Sequence, residues 1–279
     1  MRFLFLGTGT SAGIPMIGCA CAVCTSADPR DQRLRTAAAV QFVDAAGQGR
    51  TVLLDAGPDL RAQALRAGLT RCDGIIFTHN HVDHIFGLDE VRRFNAVMKA
   101  PIDVWADAHT MESLTRVYRH IFDRMNNVND SFVATLVPRR IDDEMVRDGT
   151  LIDVHGATFL PVRFLHGRLP ILGFRVDVPR PAGADDSAWA FPLAYCTDVS
   201  GVPPESWPRL TGLRTLVLDC LRDRAHPTHL TLQQAVNIAD QVGAQRTYFI
   251  HMTHDLGHAA TQARLPEGMW LAHDGLVLG

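Results

Sequence analysis

A chain of 279 residues can bury a sizeable core without dividing, and 47% hydrophobic with 20% charged residues is the composition of an ordinary soluble globular protein. The formal net charge of −3 argues against a general polyanion-binding surface, so no general nucleic-acid binding is expected; the basic residues are nearly all Arg, with Lys99 the one lysine, as a compositional bias would leave them. No apolar stretch approaches the roughly 18 residues that span a membrane, and the first apolar run is too short for a signal-peptide core. A cytoplasmic protein is expected, its six Cys serving as thiols or metal ligands rather than disulfides.

Residues 2–7 form an apolar run of strand type, followed by the Gly-rich turn Gly7-Thr8-Gly9-Thr10-Ser11-Ala12-Gly13. The turn lacks the Lys-Ser/Thr of a phosphate-binding loop and reads as a tight passage under a site. Cys19, Cys21 and Cys24 have C-x-C-x2-C spacing, which wraps one ion and needs a fourth ligand from elsewhere, as in a closed structural zinc site. Cys72, Cys196 and Cys220 stand singly in apolar runs and read as small core residues. Residues 28–35 read as a charged surface loop. Strands are predicted over 37–43 and 51–54, the second ending in Asp55-Ala56-Gly57. The Asp55 carboxylate has two readings, as a partner that orients a ligand histidine or as the cap of a helix over 58–67.

The strand-type run 72–77 leads into Thr78-His79-Asn80-His81-Val82-Asp83-His84. Four ligand-type residues thus lie where a buried strand ends. His79 and His81, two apart, point to one side of an extended segment, while Asp83 and His84 follow as the chain turns. One cation cannot easily use all four, but two cations a few ångströms apart can, and such a pair clamps the oxygens of a displacement. Helices are predicted over 88–97 and 108–122, with His109 and His120 at the surface, and strands over 102–105, 132–137 and from 141 onward around a charged loop at 139–144. The block 108–150 reads as a lid or a partner surface. Further strands over 158–165, 172–178, 193–196, 215–218 and 247–250 surround a helix over 231–242, and short runs at 270–272 and 276–278 close the chain. Polar residues recur at strand ends: His79, His166, Asp198, Asp219 and His251. Several strands delivering such residues to one rim of a sheet is the second argument for a single site.

These signals resemble the metallo-β-lactamase superfamily over nearly the full chain, which implies a single domain over 1–279 of α+β class, a four-layer αββα sandwich. The resemblance implies that His79, His81 and His166 hold one divalent metal, that Asp83, His84 and His251 hold the other, and that Asp198 bridges them; Mn2+ or Zn2+ would serve. Within the superfamily the chain is most similar to the phosphoribosyl cyclic phosphate phosphodiesterases, on Cys19, Cys21 and Cys24 near the N-terminus and the pair His251/His254 near the C-terminus. That likeness makes His254 the fourth ligand of one structural Zn2+ and His229 a general acid, with His226 a rival for the role, and a homodimer the expected assembly. Segments 108–150 and 179–190 are longer than in that group.

The resulting expectation is a hydrolase of small phosphodiesters, such as a cyclic ribose phosphate, that uses a dinuclear metal-activated hydroxide, with Asp198 and His229 in catalysis and Asp55 behind them. The alternatives are a tRNA 3′-processing nuclease, a thioester hydrolase, and a carrier protein like pyrroloquinoline quinone biosynthesis protein B. The acidic balance and the Cys cluster speak against the nuclease, and the Cys cluster against the thioester hydrolase. The complete set of ligand-type residues speaks against the carrier.

Overall fold

The computed structural model describes residues 1–123, 132–180, 183 and 185–279. Two seven-stranded mixed sheets pack face to face. The first contains β1 (Arg2–Gly7), β2 (Ala37–Val43), β3 (Gly49–Leu54), β4 (Gly74–Ile76), β5 (Ile102–Asp107), β6 (Leu136–Ile141) and β14 (Val277–Leu278), in the order β14-β1-β2-β3-β4-β5-β6. The second contains β7 (Ile152–Val154), β8 (Ala157–His166), β9 (Leu169–Asp177), β10 (Leu193–Cys196), β11 (Thr215–Asp219), β12 (Arg246–Ile250) and β13 (Met269–Leu271), in the order β13-β12-β11-β10-β9-β8-β7. Each sheet has an antiparallel half and a parallel half; β3 to β6 and β10 to β13 run parallel. Parallel strands covered on both faces are apolar throughout, which is why their sequences read as unbroken hydrophobic runs.

The period-two alternation of β1 builds two layers at once. Phe3 and Phe5 point between the sheets, where they join Val52, Ile76, Phe159, Phe174 and Tyr195. Leu4 and Leu6 point outward beneath the helices, with Leu53, Phe77 and Leu114. On the far side Leu216, Leu218 and Phe249 pack under α7 (Leu232–Val242), whose Ala235, Val236 and Ala239 form its inner face. This helix carries a capping box at Thr231 and Gln234 and stops at Gly243 in left-handed conformation. The αββα sandwich is the architecture that the sequence predicts.

Several boundaries differ. The helix predicted over 108–122 is two, α4 (Ala108–Val117) and α5 (Arg119–Phe122), broken at Tyr118, whose buried side chain donates to the Ile85 carbonyl at 2.9 Å. The segment 88–97 is a 3-10 turn over Leu88–Val91 followed by α3 (Arg92–Met98). The helix after Asp55 is α1, Leu60–Arg66. Strand β6 begins at Leu136 and continues through Arg139 and Arg140, which were read as loop; it is an edge strand, where exposed charge is tolerated. The acidic run at 142–144 instead opens α6 (Asp143–Asp148), with Asp142 as its N-cap. Parts of both long segments, 124–131, 181–182 and 184, lie outside the described residues. Cys72, Cys196 and Cys220 are buried, and His109 and His120 are exposed, as predicted.

Candidate metal centre

The polar strand ends converge on one rim. β4 delivers His79; His81 precedes α2 (Val82–Ile85), which carries Asp83 and His84; β8 ends in His166, β10 leads to Asp198 and β12 to His251. His79, His81, His166 and Asp198 place one ligand atom each within 4.8 Å of one another, and so do Asp83, His84, Asp198 and His251. Asp198 belongs to both groups. Its Oδ2 lies 3.2 Å from His84 Nε2, and its Oδ1 lies 3.2 Å from His251 Nε2 and 3.8 Å from His79 Nε2. Asp83 Oδ2 is 3.3 Å from His84 Nε2 and 3.7 Å from His251 Nε2. All of these residues are buried except His81.

The backbone at this rim is strained. Asp55, Asp198 and His251 have φ of 64°, 59° and 63°, in the left-handed region that costs most side chains about 1 kcal/mol or more. Asp55 and His251 directly follow β3 and β12, and Asp198 is the second residue after β10; each stands where the chain leaves a strand and turns at the rim. No residue pattern announces this beyond the tolerance of Asp for such a turn.

Asp55 lies behind the histidines. Its carboxylate accepts the Thr78 amide at 2.9 Å and the Thr78 hydroxyl at 2.9 and 3.1 Å, and it lies 2.8 Å from His84 Nδ1. The Thr78 hydroxyl also sits 3.0 Å from His79 Nδ1. Of its two readings, Asp55 therefore takes the histidine-orienting one. The alternative cap of α1 is absent: Asp59 occupies that position, makes no side-chain capping bond and pairs with Arg35 instead. Gly57 completes this arrangement, because a Cβ there would lie 2.0 Å from the Asp83 carbonyl oxygen.

Electrostatics favour a cation. Burial raises the Asp198 carboxyl, but His251, His84 and His79 outweigh it and hold the group well below the usual range. Burial lowers His84, but Asp198, Asp83 and Asp55 overcome it and push the ring well above its ordinary value. His79, His81 and His166 go the other way, driven down mainly by burial. Three neutral imidazoles thus face two ionised carboxylates. His251 shifts in the same direction as His84: burial lowers it, but Asp198, Asp83 and Asp219 push it above its ordinary value. His79 Nε2, His84 Nε2 and both ring nitrogens of His251 are buried with no hydrogen-bond partner among the described residues. Buried donor atoms that converge yet have no partner fit divalent ions bound by N and O ligands.

The second site joins the two ends of the chain. Sγ of Cys19, Cys21 and Cys24 lie 3.2, 3.4 and 3.5 Å from one atom, His254 Nδ1. A tetrahedral zinc with bonds of about 2.0–2.3 Å separates its ligand atoms by about 3.5 Å, so the four residues fit that ion. Chiefly through the Cys24 amide, which points at its sulfur, Cys21 is lowered to about 6, while burial pushes Cys24 up to about 11. The predicted surface loop 28–35 proves to be part of this junction. Arg33 and Asp31 are buried and paired at 3.1 Å, and Arg33 also donates to the Thr253 and Leu256 carbonyls. Charge in that loop marked an internal clamp, not a solvated face, because a buried pair with satisfied donors looks the same in sequence as an exposed one.

His229 lies against the rim, its ring 4.7 Å from that of His251 and 4.6 Å from that of His166. Its Nδ1 is 2.9 Å from Asp219 Oδ1, and Asp219 Oδ2 accepts the Leu230 amide. Asp219 also sits 3.6 Å from His251 Nδ1. The sequence places Asp219 among the polar strand ends of the rim but gives it no ligand or catalytic role; its position at the end of β11, beside β12, puts it behind His229. His226 is farther out: its ring is 5.2 Å from that of His229, and its Nδ1 accepts the Thr228 hydroxyl and amide.

A profile of the Beta-lactamase superfamily domain matches residues 50–252. A crystal structure described as a new diphosphatase from the PhnP family is 40% identical, with a TM-score of 0.84, over 100% of this chain and 97% of that one. This chain belongs to the metallo-β-lactamase superfamily and, within it, to the PhnP family. In this PhnP-family protein the paired His/Asp clusters and the Cys3His cluster are each able to hold metal ions. The chain is also 32% identical over 278 residues to a Porphyromonas gingivalis protein named octanoyltransferase, covering 99% of this chain and 51% of that protein. It thus spans about half the length of that relative. Coenzyme PQQ synthesis protein B of Methylobacterium nodulans is 27% identical, over 78% of this chain and 72% of that protein. The zinc-bound PqqB of Methylobacterium extorquens shares the fold, at a TM-score of 0.72 and 18% identity over the whole of both chains. Among the described residues no helix is long and apolar enough to cross a membrane.

Proposed function

We propose that this protein hydrolyses small phosphoric diesters at the His79/His81/His166 and Asp83/His84/His251 clusters, with Asp198 shared between them. The observation that carries the reading is the Asp219–His229 pair set directly against two histidines of those clusters. Divalent cations held there supply charge stabilisation at phosphoryl oxygens and acidify water. The chain's own residues do the rest. Asp198 turns its carboxylate into both clusters. Asp55 and Thr78 fix the rings of His84 and His79 from behind. Asp219 occupies Nδ1 of His229, which leaves Nε2 to carry a proton to the departing alkoxide. His226 is bound to Thr228 and is the weaker candidate for that step. Cys19, Cys21, Cys24 and His254 would hold a structural zinc, which would tie the N-terminal loop to the segment after β12.

A second reading, cleavage of a diphosphate, is favoured by the name of the 40% identical relative. The two reactions share attack at phosphorus and departure of an oxygen, so the same residues serve either.

The test is a hydrolysis assay with Mn2+ and with Zn2+ on a phenyl diester, a ribose 1,2-cyclic phosphate, 2′,3′-cyclic nucleotides, a dinucleoside diphosphate, a pre-tRNA and an octanoyl thioester, with Asp198→Ala as control. Turnover on a cyclic or simple diester that disappears in the control supports the proposal. Turnover confined to the diphosphate establishes the second reading. Turnover only on the thioester or the pre-tRNA overturns both, and a metal-loaded protein inert on the whole panel points to a carrier.

A further inference from the structure

The segment from Pro15 to Ala27 is tied to the molecule at one place. None of its residues is buried, Ile17 is fully exposed, and it forms no helix or strand. Its backbone bonds are local: Cys19 donates to Met16, Thr25 to Cys21 and Ser26 to Val23. Its side-chain bonds stay within residues 15–28, with one exception. That exception is the approach of Cys19, Cys21 and Cys24 to His254 Nδ1, at 3.2, 3.4 and 3.5 Å. Val23 adds a small apolar contact beside Gly257. A stretch with so little buried surface gains little stability from packing, so the Cys3His cluster is its tether. The three sulfurs and Nδ1 lie within 4.8 Å of one another, and the Cys24 amide donates to Cys21 Sγ at 3.4 Å, so residues 21 and 24 face each other. All three cysteines are half-buried and open to small solutes, whereas Cys72, Cys196 and Cys220 are buried. Accessible cation-bound thiolates with a second thiol at hand are the sulfurs that peroxides oxidise first.

Resting on the zinc reading above, we propose that the Cys3His cluster is an oxidative modification site, with hydrogen peroxide as the oxidant, and that it acts as a reversible latch on residues 15–27. The Cys21 thiolate attacks one peroxide oxygen. The O–O bond breaks, the sulfur gives up two electrons, and hydroxide departs to leave a sulfenic acid. The Cys24 thiolate then attacks that sulfur and expels a second hydroxide as the disulfide forms; two protons from solution convert both hydroxides to water. Two anionic ligands are thereby lost, and Cys19 with His254 are too few to keep the ion. The segment is then free of the turn that carries His254. His251, three positions earlier, is not released with it, because Met252 between them keeps its own backbone bonds to Thr8 and Thr10 of the Gly-rich turn. The modification therefore loosens one segment and leaves the His/Asp clusters in place.

The full chain, loaded with Mn2+ at the His/Asp clusters and with zinc at the Cys3His cluster, would be treated with a modest excess of hydrogen peroxide. Zinc content before treatment tests the zinc reading by itself: a protein that takes up no zinc overturns that reading and the latch with it. In the zinc-loaded protein the expected result is transfer of zinc to a zinc-selective chelator, with manganese retained. Peptide mass mapping should show a disulfide joining Cys21 to Cys24, with Cys72, Cys196 and Cys220 still reduced; a bridge between any two of the three cluster cysteines supports the inference. Amide hydrogen exchange over residues 15–27 should become about tenfold or more faster. A reductant together with zinc should reverse all of these changes, and His254→Ala should show the fast exchange without peroxide. Zinc and thiols unmoved by peroxide overturn the inference while the zinc reading stands. So does zinc release with residues 15–27 exchanging as before. Loss of manganese along with the zinc also overturns it, since that marks general unfolding and not the opening of a latch.

Discussion

Arg33 donates from Nη1 to the carbonyl oxygen of Thr253 at 2.9 Å, across 220 positions of sequence. The same guanidinium holds the Leu256 carbonyl at 2.6 Å and Asp31 at 3.1 Å, and the residue is 1% exposed. His254 lies inside the span that Arg33 grips, so the clamp and the Cys3His cluster position the same turn. Arg33→Ala should leave Asp31 buried without its partner and destabilise the fold by about 3–5 kcal/mol. It should also loosen the zinc proposed for the Cys3His cluster. Chemical denaturation and the rate of zinc transfer to a chromogenic chelator read the two effects. Unchanged zinc retention in a folded variant would separate the clamp from the metal.

Asp55 is fully buried and makes its hydrogen bonds to Thr78 and His84 rather than to solvent. Asp55→Ala should lower active-site metal affinity about 10–100-fold, the usual effect of removing a carboxylate that orients a ligand histidine. Metal titration under competition with a chelator measures the shift, and zinc at the Cys3His cluster serves as the internal reference that should not move.

Gly57 approaches the Asp83 carbonyl so closely that a Cβ would lie 2.0 Å from the oxygen. Gly57→Ala must push the loop carrying Asp83 and His84 away from Asp55. The expected cost is about 1–3 kcal/mol, with loss of active-site metal stoichiometry. A melting curve and elemental analysis of the purified variant test this; full metal occupancy would contradict it.

His229→Ala should keep the metals and reduce kcat about 10²–10⁴-fold, most for poor leaving groups. Asp219→Asn should act in the same direction but less severely, since it disturbs only the orientation of the ring. Kinetics on diesters of graded leaving-group acidity would check the pattern, and equal losses for good and poor leaving groups would remove His229 from the role.

His258 is 4% exposed, and its ordinary value is lowered to about 4 by burial first and then by Arg30, Arg33 and His273; Asp28 pulls the other way, and Asp31 accepts the backbone amide at 2.7 Å. The folded state therefore resists protonation that the unfolded state accepts. Its stabilising effect is complete above pH 6.5 and is lost as the pH falls from 6.5 towards 4. His258→Gln should flatten the decline in stability between pH 6.5 and 4.5 by an amount on the order of 2 kcal/mol. Denaturant midpoints at several pH values give the slope, and an unchanged slope would assign the acid sensitivity elsewhere.

Some of this molecule was readable from local pattern. The histidine motif behind an apolar run, the Cys spacing and the recurrence of polar residues at strand ends each depend on residues close in sequence and on strand periodicity. The strand boundaries at 37–43 and 193–196 follow from the same rule and match. Charge was the misleading signal. Asp31 and Arg33 read as solvated but are buried, whereas Arg139 and Arg140 read as loop but lie in an edge strand. Tyr118 breaks a helix whose periodicity runs through it, because its hydroxyl is held by Ile85 on another element.

By itself the sequence determined the strands, the polar residues at their ends and the identity of the potential ligands, because hydrophobic alternation and ligand spacing are local properties of the chain; the four-layer sandwich was what the family resemblance implied. Tertiary structure alone decided which residues meet. Asp219 backs His229, Arg33 grips the turn that carries His254, and Arg222 has no carboxylate partner among the described residues. Each of these is a contact between residues on different elements, or the lack of one. Such contacts depend on the register and strain of the folded backbone, with Asp55, Asp198 and His251 all at positive φ, and no local pattern of residue types encodes them.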